Sequence, residues 1–309
     1  MIPISRRRFI QAALRTTAGV AVCCAADPAW SRGDSAVITP TPLAAGLVLL
    51  SGAGGNVLAA NGPQGLVLID GGRAERSADL IEAALKATST ERVHTLFNTH
   101  WHPEQTGSNE RLGKSGAKIV AHENTKLWLS RKIVVDWLPG GYGPLPQKAL
   151  PSETFYKTGA LTLGEEAVEY GYLPQAHTDG DIYVHFKKAN VLAAGGVASQ
   201  DRWPVVDYQT GGWIAGLVAG LDRLLEIADD HTRIVPADGA LLTKADLHSQ
   251  RTMYFTIYER LVKCLTSGLG PDEMAATQPA KEFNPQWGEQ SAFVTLAFKS
   301  LWGHYAPDG

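Results

Sequence analysis

Cysteine is almost absent from this chain, with 3 in 309 residues. Cys23 and Cys24 sit side by side in a segment that reads as a removable leader. Cys264 is then left without a partner, and no intramolecular disulfide can form. Charge of one sign is lacking too: 28 Lys and Arg face 31 Asp and Glu, for a formal −3. With no long basic run, nucleic acid and anionic membrane surfaces are poor partners. No apolar stretch reaches the roughly 20 residues that span a bilayer. The Gly-x-Ser-x-Gly elbow of serine hydrolases is missing. Gly52-Ala53-Gly54-Gly55 runs into a strand-like segment and not a helix N-terminus, so it is not a phosphate loop. There is no internal repeat, low-complexity linker or break in composition. Apolar residues are plentiful, at 44%, enough for one domain to stand on a buried core.

Ser5-Arg6-Arg7-Arg8-Phe9-Ile10-Gln11, followed by an alanine-rich apolar run through Cys24, resembles the twin-arginine signal of bacterial export. Arg15 interrupts that run, which argues against a membrane anchor. Residues 1–26 are expected to be removed, with Ser31 as the outer limit of the cut. Their loss takes away Arg6, Arg7, Arg8 and Arg15 and no acidic residue, so the formal charge goes from −3 to −7. The twin-arginine route carries folded cargo. The protein is therefore expected to take up any cofactor first and to work in the periplasm, with no membrane span once mature.

Apolar runs separated by Gly-rich turns predict strands at 46–50, 56–59 and 66–70. Ser77 reads as the N-cap of a helix carrying Leu80, Ile81, Ala84 and Leu85 on one face. A strand from Val93 is expected to end at His100, and 117–122 to form another. The Pro- and Gly-rich stretch 136–152 predicts a long surface loop. Strands are expected again at 161–163, 167–172, 182–187 and 190–194, then a helix at 213–228. A strand at 233–235, an amphipathic helix at about 245–267 and a helical tail through Trp287 and Trp302 complete the chain. Strands and helices interleaved in two similar halves predict a layered α/β protein.

The densest chemistry lies in Asn98-Thr99-His100-Trp101-His102-Pro103-Glu104-Gln105-Thr106-Gly107. Alternate side chains of an extended chain share one side, so His100 and His102 should converge on a point. Neutral imidazole is the usual nitrogen ligand of zinc. Strand Leu66–Asp70 with Gly71-Gly72, this His-x-His loop, Gln175-Ala176-His177-Thr178-Asp179-Gly180-Asp181, Val191–Gly196 and Ile234–Gly239 resemble, in that order, the metallo-β-lactamase fold. The resemblance implies a four-layer αββα sandwich over residues 40–245, with 246–309 as a helical C-terminal extension on the same domain.

Carried over by position, the resemblance implies a first metal site of His100, His102 and His177. Three nitrogen ligands with a fourth position open are the pattern of a catalytic zinc. The second site departs from the family throughout: its aspartate is Glu104, its neighbouring histidine Gln105, its bridging aspartate Gly196 and its last histidine Asp238. One zinc is expected, and not an ordinary two-zinc centre. Three roles for Glu104 and Asp238 stay open. Glu104 can act as general base toward the zinc-bound water, the pair can hold a weaker oxygen-preferring cation, or both can orient water and loop backbone. Asp70 and Asp181 are implied to brace the ligand loops. His122 opens the helix after its strand and stands near the site or packs in the core. Trp137 and Tyr142 read as a lid over an apolar substrate. Arg202, with Asp201 and Tyr208, reads as a pocket border able to clamp an anionic one.

The expected function is a mononuclear zinc hydrolase, with metal-bound hydroxide attacking an ester, lactone or amide-type bond of a small molecule. The alternative is a non-catalytic ligand- or metal-binding protein on the same fold, suggested by the four altered positions. An iron redox centre is disfavoured, because the bridging oxygen ligand is missing at Gly196.

Overall fold

Apolar runs bounded by turns make the strands of the computed structural model, which describes residues 37–305. The expected export segment, 1–26, lies outside the described residues. β1 (Thr39–Ala44), β2 (Leu47–Ser51), β3 (Val57–Ala60), β4 (Leu66–Ile69), β5 (Val93–Phe97) and β6 (Lys118–His122) come first. A separate hairpin of β7 (Ile133–Val135) and β8 (Leu138–Tyr142) follows, and β9 (Glu153–Phe155) then returns to the first sheet. That sheet runs β1-β2-β3-β4-β5-β6-β9, antiparallel up to β4 and parallel beyond it. The second sheet runs in sequence order through β10 (Thr158–Leu163), β11 (Glu166–Tyr172), β12 (Ile182–Phe186), β13 (Val191–Gly195) and β14 (Arg233–Pro236). Its last pair is parallel.

Period-two alternation sorts each strand between two interiors. Leu47, Leu49, Leu58, Ile69, Phe97 and Val120 meet Val184, Phe186, Val191 and Val235 between the sheets. Val48, Leu50, Leu66, Leu68 and Leu96 point the other way, onto Leu80 and Ala84 of α1 (Ser77–Thr88). Short helices α2 (Pro103–Thr106), α3 (Asn109–Lys114) and α4 (Glu123–Leu129) fill the connections after β5 and β6. Next come α5 (Ile214–Ile227), α6 (Lys244–Thr266), α7 (Pro271–Ala276), α8 (Asn284–Trp287) and α9 (Ser291–Tyr305). They cover the second sheet through one cluster that includes Leu192, Leu217, Leu221, Leu261, Phe293 and Phe298. The layers are helix, sheet, sheet, helix, as expected. Among the described residues no helix is long and apolar enough to cross a membrane.

Several local expectations are corrected. β5 stops at Phe97, short of His100. There Asn98 turns its side chain to the Gln105 carbonyl (2.9 Å) and to Asn109 Oδ1 (3.0 Å), and the chain bends. His100 and His102 therefore converge from a bend and not from strand alternation. The 136–152 stretch begins inside the β7–β8 hairpin, with Asp136 and Trp137 as its turn. Pro139 is tolerated because this two-stranded ribbon has no central strand. Ser77 is the first helical residue and not a cap: a single 3-10 turn, Ala74–Arg76, leads into α1 and no side chain caps it. β1 was hidden by Pro40 and Pro42, which an edge strand accepts without losing a ladder bond.

Candidate metal centre

The functional side chains gather where parallel strands end. Asp70 follows β4, His100 and His102 lie in the bend after β5, Gly196 follows β13 and Asp238 lies just past β14. His177 arrives from the β11–β12 connection. Two backbone hydrogen bonds cross between the sheets here. Ile182 N–H donates to the Thr99 carbonyl (2.9 Å) and Asn56 N–H to that of Ala237 (2.8 Å).

His100, His102 and His177 are buried, with ligand-capable nitrogens all within 4.8 Å of one another. A side-chain oxygen stands behind each ring, two of them within hydrogen-bond reach. His102 Nε2 is 3.3 Å from Asp207 Oδ2. His100 Nδ1 is 3.0 Å from Thr99 Oγ1, whose proton goes to Asp70 Oδ2 at 2.9 Å. Thr99 N–H donates to the other oxygen of Asp70 at 2.7 Å. His177 Nδ1 faces Asp181 Oδ1 at 3.9 Å, beyond hydrogen-bond reach, and both atoms are buried without a hydrogen-bond partner. These contacts leave His100 Nε2, His102 Nδ1 and His177 Nε2 for a ligand.

Burial holds His100 and His177 well below the ordinary imidazole range, and the neighbouring His102 lowers them further. Those two rings are thus neutral, the form that binds a transition metal. Burial also pushes the Asp70 carboxyl up to about 7, against the pull of its two hydrogen bonds from Thr99. It drives Asp181 well above the carboxylate range. Three buried imidazole nitrogen donors converge in front of buried carboxyl groups, and one oxygen each of Asp181 and Asp207 has no hydrogen-bond partner. That donor set fits a zinc-type ion, whose charge would offset the cost of burying those acids.

The four positions expected around a second ion form no such set. Glu104 Oε1 lies 3.5 Å from Arg73 Nη2, and Asp238 Oδ2 lies 2.7 Å from Arg202 Nη1. Gln105 is buried, with its side-chain nitrogen beside Gly55. At Gly196 a Cβ would fall 2.7 Å from His177 Nδ1, so no side chain fits while His177 keeps its place. Among the described residues the metal-capable cluster is the histidine trio alone.

His122 has both ring nitrogens engaged elsewhere. Nδ1 accepts from Asn124 N–H and caps α4, Nε2 lies 3.2 Å from the Tyr156 carbonyl, and the ring stacks on Tyr172 at 3.9 Å. Trp137 comes to 4.4 Å from the His102 ring and 5.8 Å from Trp101, between ring centroids. The Tyr142 hydroxyl is 2.9 Å from Thr106 Oγ1. The hairpin therefore covers the His102 side of the centre. Its turn is tied down through Asp136, whose Oδ2 accepts from Tyr208 Oη and from Lys299 Nζ of α9, each at 3.1 Å.

Nothing in the sequence pointed to Asp207, Thr99 or Arg73. Asp207 sits in a polar, glycine-rich turn that alone says only that the chain reverses. In the fold, Thr210 Oγ1 donates to its Oδ2 (2.5 Å) and accepts from Trp101 Nε1 (3.0 Å). Asp207 N–H also donates to the His177 carbonyl (3.1 Å). One buried turn thus supports both histidine-bearing loops.

The model of the metallo-beta-lactamase superfamily matches residues 51–238, more than half of the chain. The chain belongs to that superfamily. Its structure is similar to a metallo-beta-lactamase from Pontibacter korlensis (TM-score 0.58, 17% identity), covering 71% of this chain and 99% of that one. It is similar to the DIM-1 metallo-beta-lactamase (TM-score 0.58, 16% identity), covering 72% and 98%. It also matches the stereoselective inverting sec-alkylsulfatase Pisa1 from Pseudomonas sp. (TM-score 0.69, 14% identity) over 88% of this chain and 51% of that one. At these identities the likeness is one of fold, and this chain spans about half the length of the alkylsulfatase.

Proposed function

We propose that this protein is an exported, periplasmic hydrolase that uses one zinc-type ion to cleave an ester, lactone or amide-type bond of a small molecule. The observation that carries this reading is the convergence of three buried imidazoles with a side-chain oxygen set behind each. An ion held by His100, His102 and His177 supplies Lewis-acid polarisation of a substrate oxygen and brings the acidity of water into the neutral range.

The chain's own residues supply the rest. Asp207, and Asp70 through Thr99, fix the ring tautomers of His102 and His100. Glu104, with one oxygen beside Arg73, would serve as the acceptor of a proton from water. Asp238, paired with Arg202, anchors the loop past β14. Trp101 and Trp137 cover His102 and keep bulk water from that side.

The test is metal content and turnover of the mature protein, purified without chelators, on a panel of esters, lactones and amides. Sulfate esters and β-lactams join the panel because of the fold likenesses above. About one zinc per chain is expected, with turnover that disappears in His102→Ala. Turnover surviving complete metal removal would sink the proposal. A second reading, a non-catalytic binding protein, is favoured by the Arg73–Glu104 pair, which already engages the intended proton acceptor. Full metal occupancy with no turnover anywhere on the panel selects it.

A further inference from the structure

We propose that Arg73 and Arg202 are built-in cations that hold Glu104 and Asp238 and thereby keep a second metal ion out of the centre. The inference rests on the one-ion reading above. The backbone segments that carry Glu104 and Asp238 meet at a single turn, Gly54-Gly55. Arg73 crosses Gly54 (φ +89°), where an added Cβ would lie 2.4 Å from Arg73 Cγ and 2.6 Å from its Cδ. Only glycine leaves that track open. On Gly55 a Cβ would meet the Ala237 carbonyl at 3.0 Å, Gln105 Nε2 at 3.6 Å and the Glu104 carbonyl at 3.7 Å. Asn56 Nδ2 ties the same turn to the carbonyls of Pro236 (3.0 Å) and Gly239 (2.9 Å). The segments that carry the two carboxylates therefore close on one dipeptide, next to the histidine bend.

Two carboxylates carried on adjoining segments are what an oxygen-ligand cation site would be built from. What stands against one is the guanidinium on each, 3.5 Å from Glu104 and 2.7 Å from Asp238. Arginine suits this task better than lysine would. It stays charged at any working pH, so an incoming metal ion cannot displace it by deprotonation. The Arg73–Glu104 pair is the more enclosed, with side chains 18% and 20% exposed, against 47% and 48% for Arg202–Asp238. Solvent screens the second pair more, so Arg73 is the stronger barrier. The bare backbone at Gly196 contributes no bridging ligand to tip the balance back. Metal count is then set by ion pairing as much as by missing ligands.

The experiment is zinc titration of the full chain, with bound metal counted after gel filtration. Wild type is expected to hold one ion. Arg73→Gln/Arg202→Gln should take up a second, with at least about tenfold higher affinity for that second equivalent than wild type shows. Adding Glu104→Gln to the double variant should abolish the gain. A folded double variant that still holds one ion overturns the proposal, as does wild type holding two. Wild type holding none, with zinc in excess, defeats the hydrolase reading and the present inference with it. If the double variant does not fold, Arg202→Gln alone decides: a smaller gain supports the assignment, and no gain overturns it.

Discussion

Asp207 Oδ2 stands 3.3 Å from His102 Nε2, although the two residues are 105 positions apart in the chain. The contact decides which nitrogen of His102 is left to bind. Asp207→Ala removes that acceptor and strands the Thr210 hydroxyl. Zinc affinity is expected to fall about 10- to 100-fold, as measured by competition with a coloured chelator. An affinity unchanged from wild type would take Asp207 out of the centre.

Asp70 gives the metal-free protein a pH dependence of known sign. Its carboxyl is raised from 3.8 to about 7, chiefly by burial, so the folded state holds the proton more tightly than the unfolded chain. That contribution to stability is complete below about pH 4 and is lost as pH rises to about 7, roughly 4 kcal/mol in all. Asp70→Asn is neutral throughout and tolerates the residue's φ of 68°. It should flatten the loss of stability across that window, read from urea midpoints. Equal slopes in the two proteins would mean that Asp70 is not the titrating group.

Restoring a carboxylate at the bridging position should not restore a second ion. Gly196→Asp places a Cβ 2.7 Å from His177 Nδ1 and pushes that ring out of line. The expected cost is about 1–3 kcal/mol of stability, together with loss of the first ion. Two ions bound to this variant would show that His177 can give way.

The hairpin turn should control how fast metal leaves. Trp137 lies over His102, and Asp136 beside it is tied to Lys299 by an exposed ion pair. Such pairs contribute at most about 1 kcal/mol. Lys299→Met should therefore speed zinc loss to excess chelator about two- to fivefold, and Trp137→Ala by more. The same rates in all three proteins would mean that the hairpin does not gate the site.

The fold was largely legible because its strands are apolar runs punctuated by glycine. Leu47–Ser51, Val57–Ala60 and Leu66–Ile69 fall within a residue or two of where their pattern predicts them. β1 and the β7–β8 hairpin were not legible, since proline and glycine signal loops while edge strands and ribbons tolerate both. The same split runs through the site. His100, His102 and His177 sit in motifs whose residue types announce metal chemistry. Asp207 and Arg73 act through contacts that only the folded chain creates. Arg73 in particular reaches Glu104 along a track opened by the absent side chain of Gly54. Local pattern names ligands; long-range packing names their partners.

The histidine trio also straddles a seam. His100 and His102 come from the first sheet's connections, His177 from the second's, and the backbone bonds between the sheets at this end are few. An ion held by all three would tie one half of the sandwich to the other. Loading and folding would then be a single equilibrium, with each tenfold excess of free ion over its Kd worth about 1.4 kcal/mol. In a chain whose described residues hold only the unpaired Cys264, coordination of such an ion would take over the duty of a covalent crosslink.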